Sequence, residues 1–548
     1  MEEGITAVIL AATERGGMGD GCFESKTRHL IPQNDKPLIF HLIDTLLSNS
    51  QIRKVHIIVE ERIDKFDRLW PCESNYNKII NNNSVYKEIV SLHGQNSLTK
   101  VGTYEAVKSF IAEEKEKDNF PLLIVYGDSY IKKDFLDKVL TKFLEEKNYN
   151  TSPIIYWGIT PPVNERGNIL LRQDPENDVI SGEDILEISE KGIDSPNSFK
   201  DTGMMIISSE AWKNIRVMAK RIHRPSPLGV FSFASIIRQS LIFKNIKILG
   251  KELININIKC VLGYKGDCLD ANYPWEILEL GESIRNDKIS NIMQFDPKIK
   301  LVKDDTELIA TLGEVPIVTP DNSYIRIKDK NILFIGPCYL DKTVIIKSNT
   351  IIEKSYIGLN SVIESNTYIC GSKLENVIVS NGANIENGIL KGTKIMENSI
   401  VRNSFLGNKC FISNNVLISS STLEKNIEIN SNSIIENSII MDGTTVFHNC
   451  LVVMSIIGAH VMLGVGVSIP CKRLNAISND ECRDKKVTYF SDIDIRKTKN
   501  FGAIIGDYCQ IGSGALVHPG RRVGRRSKVG SCYQVVKNLP PLSDTDDL

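Results

Sequence analysis

The chain has 548 residues, enough for two or three domains that each bury a core. Its 66 basic and 67 acidic side chains nearly cancel, which excludes a global field suited to nucleic acid or a membrane surface. The 12 cysteines are scattered, with no CxxC pair and no clustered Cys/His spacing; this disfavours a structural zinc site and a disulfide framework and suits a reducing cytoplasm.

The N-terminus, MEEGITAVILAA, is acidic and its apolar run is too short for a signal peptide. No apolar run approaches a membrane span, so a soluble cytoplasmic protein is expected. Up to about residue 285, short apolar runs alternate with helical patterns. ITAVILAA reads as a buried strand, PLIFHLIDTLLS as a helix, KVHIIVEE as a strand, YEAVKSFIAEEKEK as a helix and PLLIVYGDSYI as a strand. This alternation predicts an α/β domain, Rossmann-like, with a mostly parallel sheet and ligands at the carboxyl ends of its strands. The glycine-rich loop after the first strand and Asp128 in VYGDS both fall there.

Residues 286–339 read as a linker, and from 340 to 540 the pattern changes. Branched apolar residues recur at six-residue steps: Ile345, Ile351, Ile357, Ile363 and Ile369, then Ile434, Ile440 and Val446, then Ile457, Leu463 and Ile469. A last series runs Ile505, Ile511, Val517, Val523, Val529 and Val535. That step is neither helical nor that of an ordinary strand. It predicts a parallel β-helix of hexapeptide repeats, with one inward side chain per flat face and small residues or Asn at the corners. Residues 471–499 break the period as an excursion, and 541–548 form a tail.

The motifs carry a resemblance over nearly the full length. The first half resembles sugar-1-phosphate nucleotidylyltransferases. The whole chain resembles their bifunctional relatives with a left-handed β-helix acetyltransferase domain, in particular the archaeal type that pairs UDP-N-acetylglucosamine pyrophosphorylase with glucosamine-1-phosphate acetyltransferase. GTYEAV resembles the family's GTAxAV element, so Gly102 and Thr103 would hold base and sugar, although a helix start is equally natural there. Asp128 and, in DANYPWEILEL, Asp270 match the two aspartates that hold Mg²⁺; hard oxygen ligands suit that ion. Gly167, Glu190, Lys191 and Asp201 match sugar-contacting positions, with Asp201 replacing an asparagine.

The phosphate loop departs from LAAGxGTRL and PKxLLP. In LAATERGGM, Ala11 and Ala12 are kept, Thr13 and Arg15 replace the two glycines, and Gly17 takes the arginine position. In KTRHLIP, Arg28 takes the lysine position, with Lys26 two residues earlier. Arg28 brings a planar fork where lysine is a point charge, and Arg15 could supply the missing charge if the loop is re-threaded through Gly16, Gly17, Gly19 and Gly21. The reaction implied is in-line attack of a sugar-1-phosphate on a nucleoside triphosphate, giving a UDP- or dTDP-sugar and pyrophosphate.

In the second half, His448 matches the family's catalytic base toward a sugar amine, with Arg473 and Lys486 as counterparts of two basic residues and acetyl-CoA as cosubstrate. Leu451, Val453, Met454 and Met462 depart from the residues around that base, and a lone histidine on a β-helix is usually a corner or surface residue. Arg521, Arg522, Arg525, Arg526 and Lys528 fall where CoA phosphates bind in the family; a solvated basic edge is the equal alternative. The resemblance implies a homotrimer through the coil faces. The altered motifs leave a second reading open, a non-catalytic paralogue that binds nucleotide sugar as a regulatory or scaffold subunit.

Overall fold

The computed structural model describes residues 4–11, 22–23, 30–61, 80–81, 83–96, 106–108, 110–111, 121–146, 149, 152–162, 167–172, 175, 177–193, 195, 197–221, 256–271, 273–290, 317–318, 324–327, 331–335, 338–341, 343–472, 487–490, 495–498 and 500–545. The chain divides into two compact units. One comprises residues 1–15, 25–30 and 38–271; the other comprises 16–24, 31–37 and 272–548.

The first unit is an α/β sheet in the order Val179–Ser181, Asn257–Leu262, Ile154–Thr160, Ser198–Ile207, Leu122–Tyr126, Ile5–Ala11, Ile52–Glu61, Val90–Asn96. Ile5–Ala11 pairs in parallel with both Ile52–Glu61 and Leu122–Tyr126. It is buried along its whole length, as a run apolar but for Thr6 requires of a central parallel strand. Ser198–Ile207 runs antiparallel between Leu122–Tyr126 and Ile154–Thr160. Its first residues therefore lie at the same edge as the carboxyl ends of its neighbours. The helices Leu38–Leu47 and Lys133–Leu144 bury Phe40, Leu42, Ile43, Phe135, Leu136 and Val139. Among the described residues no helix is long and apolar enough to cross a membrane.

The second unit is a left-handed parallel β-helix whose strands form three sheets, one for each flat face. Its core is a column of side chains including Ile357, Ile363, Ile369, Ile440, Val446, Ile457, Leu463 and Ile469, continued by Ile505 through Val535. The expected step holds at these positions and fails at three. Ile345 and Ile434 are exposed and Ile351 is only half-buried, while Ile352 and Ile435 point into the core. The cause is coil length. In the last coils Leu516 pairs with Gln534, 18 residues on and three full steps of six, but in the middle Leu417 pairs with Ile434, only 17 on.

The missing residue belongs to a short corner such as Asn437–Ser438. Asn437 has φ +45°, and the Ser438 hydroxyl, buried, accepts the backbone N–H of Ser455 at 3.1 Å. Ser438 N–H in turn donates to the Ser421 hydroxyl, and Ser421 N–H to that of Ser404, each at 3.1 Å. A serine at this corner thus satisfies a backbone donor that the tight bend would leave unpaired. Asparagine takes left-handed backbone at many other corners, among them Asn366, Asn398, Asn415 and Asn432.

On one face, outward residues are also covered. Phe405, Thr422, Ile439 and Ile456 are buried, and the helix Pro274–Ser290 supplies Arg285, whose guanidinium donates to Thr422 Oγ1 at 2.9 Å and to the Ser420 carbonyl at 2.7 Å. The ribbon Pro32–Gln33/Lys36–Pro37 joins it: Gln33 Nε2 donates to the Ile277 carbonyl, and Lys288 pairs with Asp35. The excursion contains a hairpin, Val487–Phe490 against Ile495–Thr498.

Because each coil buries its neighbour, removing one inward side chain leaves a cavity with coils fixed on both sides. Ile418→Ala is expected to destabilise the β-helix by about 2–5 kcal/mol, whereas Glu397→Ala on an exposed corner stays within about 0.5 kcal/mol. Chemical denaturation followed by far-ultraviolet circular dichroism measures both.

Candidate functional site

The site is built at the carboxyl edge of the first unit's sheet. Leu122–Tyr126 ends in Gly127–Asp128, and Gly127 N–H returns to the Leu10 carbonyl at 3.0 Å. A Cβ at Gly127 would lie 3.2 Å from that oxygen and 3.2 Å from Ala11 Cβ. The Asp128 turn and the end of the first strand are therefore in direct contact. Asp128 is buried.

A two-stranded ribbon brings in Asp270. Ser129–Ile131 pairs antiparallel with Cys268–Asp270, with Ser129 opposite Asp270 and Ala271 N–H donating to the Asp128 carbonyl at 2.9 Å. The two aspartates expected to act together thus occupy neighbouring positions of one ribbon. Ser129 Oγ donates to Asp270 Oδ1 at 3.0 Å, and Lys200 Nζ lies 3.3 Å from Asp270 Oδ2. Both side chains of that ion pair are largely withdrawn from water, at 17% and 16% exposure.

Lys200 and Asp201 sit at the start of Ser198–Ile207, opposite Thr160 and Ile159. Cys268 Sγ donates to the Thr202 carbonyl at 3.4 Å, tying the ribbon to this strand. Asp201 Oδ1 accepts both the Trp157 indole N–H at 2.6 Å and the Gly203 N–H at 2.7 Å. Gly203 is needed here: its φ is +66°, and a Cβ would lie 2.5 Å from the Tyr126 ring.

Burial pushes the Asp201 carboxyl up to about 6; the Trp157 and Gly203 bonds pull it back, the Asp270 charge adds to the rise and the Lys200 charge opposes it. The Cys268 thiol is held well above its ordinary range, first by burial and then by Asp270, with Lys200 opposing and Asp201 and Asp128 adding to the rise. One thiol therefore senses all three acids and the lysine.

The acids supply the hard oxygen donors that Mg²⁺ takes. Their arrangement is not that of a prepared metal site, because one Asp270 oxygen receives a hydroxyl and the other an ammonium. Among the described residues, no group of three or more His, Cys, Asp or Glu is arranged to hold a metal ion.

The other expected positions divide. Ala11 ends the first strand and Gly167 begins Gly167–Leu171, paired with Ile193. Glu190 and Lys191 lie within the strand Ile185–Ile193. Ala12, Arg15, Gly16, Gly17, Lys26, Arg28, Gly102, Thr103, Arg473 and Lys486 lie outside the described residues.

In the second unit His448 is at an exposed corner beside Asn449, which has φ +61°. Arg521 and Arg522, expected at CoA phosphates or on a solvated basic edge, are buried at 6% and 8% exposure within the strand Arg521–Val523, which lies between Ala503–Ile505 and a further segment whose Leu539 N–H donates to the Arg522 carbonyl. Arg525 is half-buried, and Arg526 and Lys528 are exposed, with Arg526 stacked over the Tyr508 ring.

Sequence reasoning missed Lys200, Ser129 and Trp157. Lys200 stands next to Asp201 in the motif KDTG, so a basic residue beside a candidate acid was the available signal. Trp157, inside the apolar run IIYWGIT, gave none.

Comparison with known proteins adds two findings. The family profile described as "GlmU-like, C-terminal hexapeptide" matches residues 391–486, inside the β-helix. A crystal structure of UDP-glucose pyrophosphorylase complexed with UDP-glucose is similar at 15% identity and a TM-score of 0.37, covering 52% of this chain and 99% of that one. The curated proteins contain no match.

Replacing Asp201 by asparagine keeps an Oδ1 for both Trp157 and Gly203 and removes a charge that burial disfavours. The folded carboxyl, at about 6 against an ordinary 3.8, holds its proton where the unfolded chain has lost it. Stability from this group is therefore full below 3.8 and is lost as pH rises through 6. Asp201→Asn is expected to be more stable than the parent by about 1–3 kcal/mol at pH 7.5, with the difference closing toward pH 4; denaturation midpoints across that range measure it.

Proposed function

We propose that the first unit is a sugar-1-phosphate nucleotidylyltransferase site, joining a nucleoside triphosphate to a sugar-1-phosphate with release of pyrophosphate. UDP-N-acetylglucosamine or a related UDP- or dTDP-sugar is the product proposed. The observation that carries this reading is the gathering of Asp128, Asp270, Asp201 and Lys200 at the carboxyl edge of an α/β sheet, beside the end of the first strand. The quoted motifs and the hexapeptide match at 391–486 support it.

In-line phosphoryl chemistry needs positioning and charge compensation rather than a covalent intermediate. Lys200 would supply positive charge at the phosphate end, and the resemblance assigns Gly167, Glu190, Lys191 and Asp201 to the sugar. The Mg²⁺ that the family resemblance implies would be held by Asp128 and Asp270 only once the Lys200 ammonium has left Asp270 Oδ2, and would supply charge neutralisation at the substrate phosphates.

For the β-helix the reading adds acetyl transfer from acetyl-CoA to an amino-sugar phosphate. His448 would take the amine proton, and Arg525, Arg526 and Lys528 would meet the CoA phosphates. Coil faces of three chains would form the homotrimer.

One observation favours the scaffold reading instead. Cys22 and Phe23, from the expected phosphate loop, are buried in the second unit, where the Cys22 carbonyl accepts Asp507 N–H at 2.8 Å. Residues held there are engaged in packing rather than offered to a triphosphate.

Pyrophosphate release, measured with a panel of nucleoside triphosphates and sugar-1-phosphates with and without Mg²⁺, separates the readings. Turnover with at least one pair, reduced about 10²–10³-fold in Asp128→Asn, is expected. Binding of a nucleotide sugar without turnover above that variant would instead establish the scaffold.

A further inference from the structure

We propose that the Lys200 ammonium is the resident cation of the acidic centre: it holds on Asp270 the charge a divalent ion would otherwise hold, and it receives the phosphate of the bound nucleotide sugar. The second clause rests on the nucleotidylyltransferase reading above.

Three observations lead here. Both Asp270 oxygens already have partners, Oδ1 the Ser129 hydroxyl and Oδ2 the Lys200 ammonium at 3.3 Å, so a metal approaching Asp270 meets a cation there and competes with it. Lys200 is also held from behind. Its strand is fixed at Asp201 by Trp157 and Gly203 and at Thr202 by the Gly158 carbonyl and the Cys268 thiol, so the ammonium is delivered by a rigid backbone rather than a loop.

The third is accessibility. Withdrawn as it is, the Lys200–Asp270 pair keeps 17% and 16% exposure, at the strand edge where ligands of such sheets bind. An ammonium with three donors can keep one bond to Asp270 and turn another toward a phosphate oxygen.

Lysine and a divalent ion then compete for one carboxylate, and the competition is measurable without catalysis. Mn²⁺ binding, read by electron paramagnetic resonance on the full-length chain, is expected to tighten at least about tenfold in Lys200→Met and to remain at the parental level in Lys200→Arg, which keeps a cation. UDP-N-acetylglucosamine binding, read by calorimetry, is expected to be equal in EDTA and in Mg²⁺ for the parent. In Lys200→Met it should fall at least about tenfold in EDTA and return when Mg²⁺ is added. The arginine variant guards against a misfolded methionine variant, because loss of EDTA-independent binding in a folded Lys200→Arg would also count against the proposal. Equal Mn²⁺ affinity in parent and Lys200→Met overturns it, as does parental binding that EDTA abolishes. If no variant binds the nucleotide sugar in any buffer, the nucleotidylyltransferase reading fails, and the Mn²⁺ series still decides what Lys200 does.

Discussion

The antiparallel pairing of Ser129–Ile131 with Cys268–Asp270 is the constraint on which the acidic centre depends. It joins segments 141 residues apart and fixes their register at both ends, through Ala271 N–H to the Asp128 carbonyl and Lys132 N–H to the Asp267 carbonyl. A slip of one residue would turn Asp270 to the opposite side of the ribbon, away from Ser129 and Lys200. The chemistry therefore rests on main-chain hydrogen bonds, which are specific in geometry and cannot drift as a surface loop can.

Charge in this centre is balanced in part by neighbouring donors. Gathering three acids at a sheet edge is unfavourable unless each finds donors. Asp270 has a hydroxyl and an ammonium, while Asp201 has an indole and a backbone amide on one oxygen. Asp201 still carries the mark of its surroundings in a carboxyl pushed up to about 6. A site that keeps an acid so poorly solvated is organised for something other than maximal stability.

Much of the architecture was legible because it is periodic. Buried runs such as ITAVILAA and the six-residue step of the last coils are local patterns, and local patterns survive into structure with little change. The errors at Ile345, Ile351 and Ile434 arose where coils are 17 residues long, since a corner shortened by one residue shifts which neighbour faces inward. The site was legible only in part. Asp128, Asp270 and Asp201 stand in recognisable motifs, but Lys200, though it stands beside Asp201, meets Asp270 only through a cross-strand geometry. Arg521 and Arg522 read equally as CoA-phosphate contacts or a solvated basic edge, because sequence does not reveal that both side chains are buried.

Cys22 takes its partners from the far end of the chain: Asp507 N–H donates to its carbonyl, and its thiol meets the Val523 carbonyl, 501 residues away. A ribosome adds about 5–20 residues per second, so this N-terminal segment waits on the order of 25–100 s for its companion to be synthesised. Until then Cys22 and Phe23 expose apolar surface that the finished protein conceals. A message truncated before the final coils would release a polypeptide whose beginning, as well as its end, lacks a binding partner.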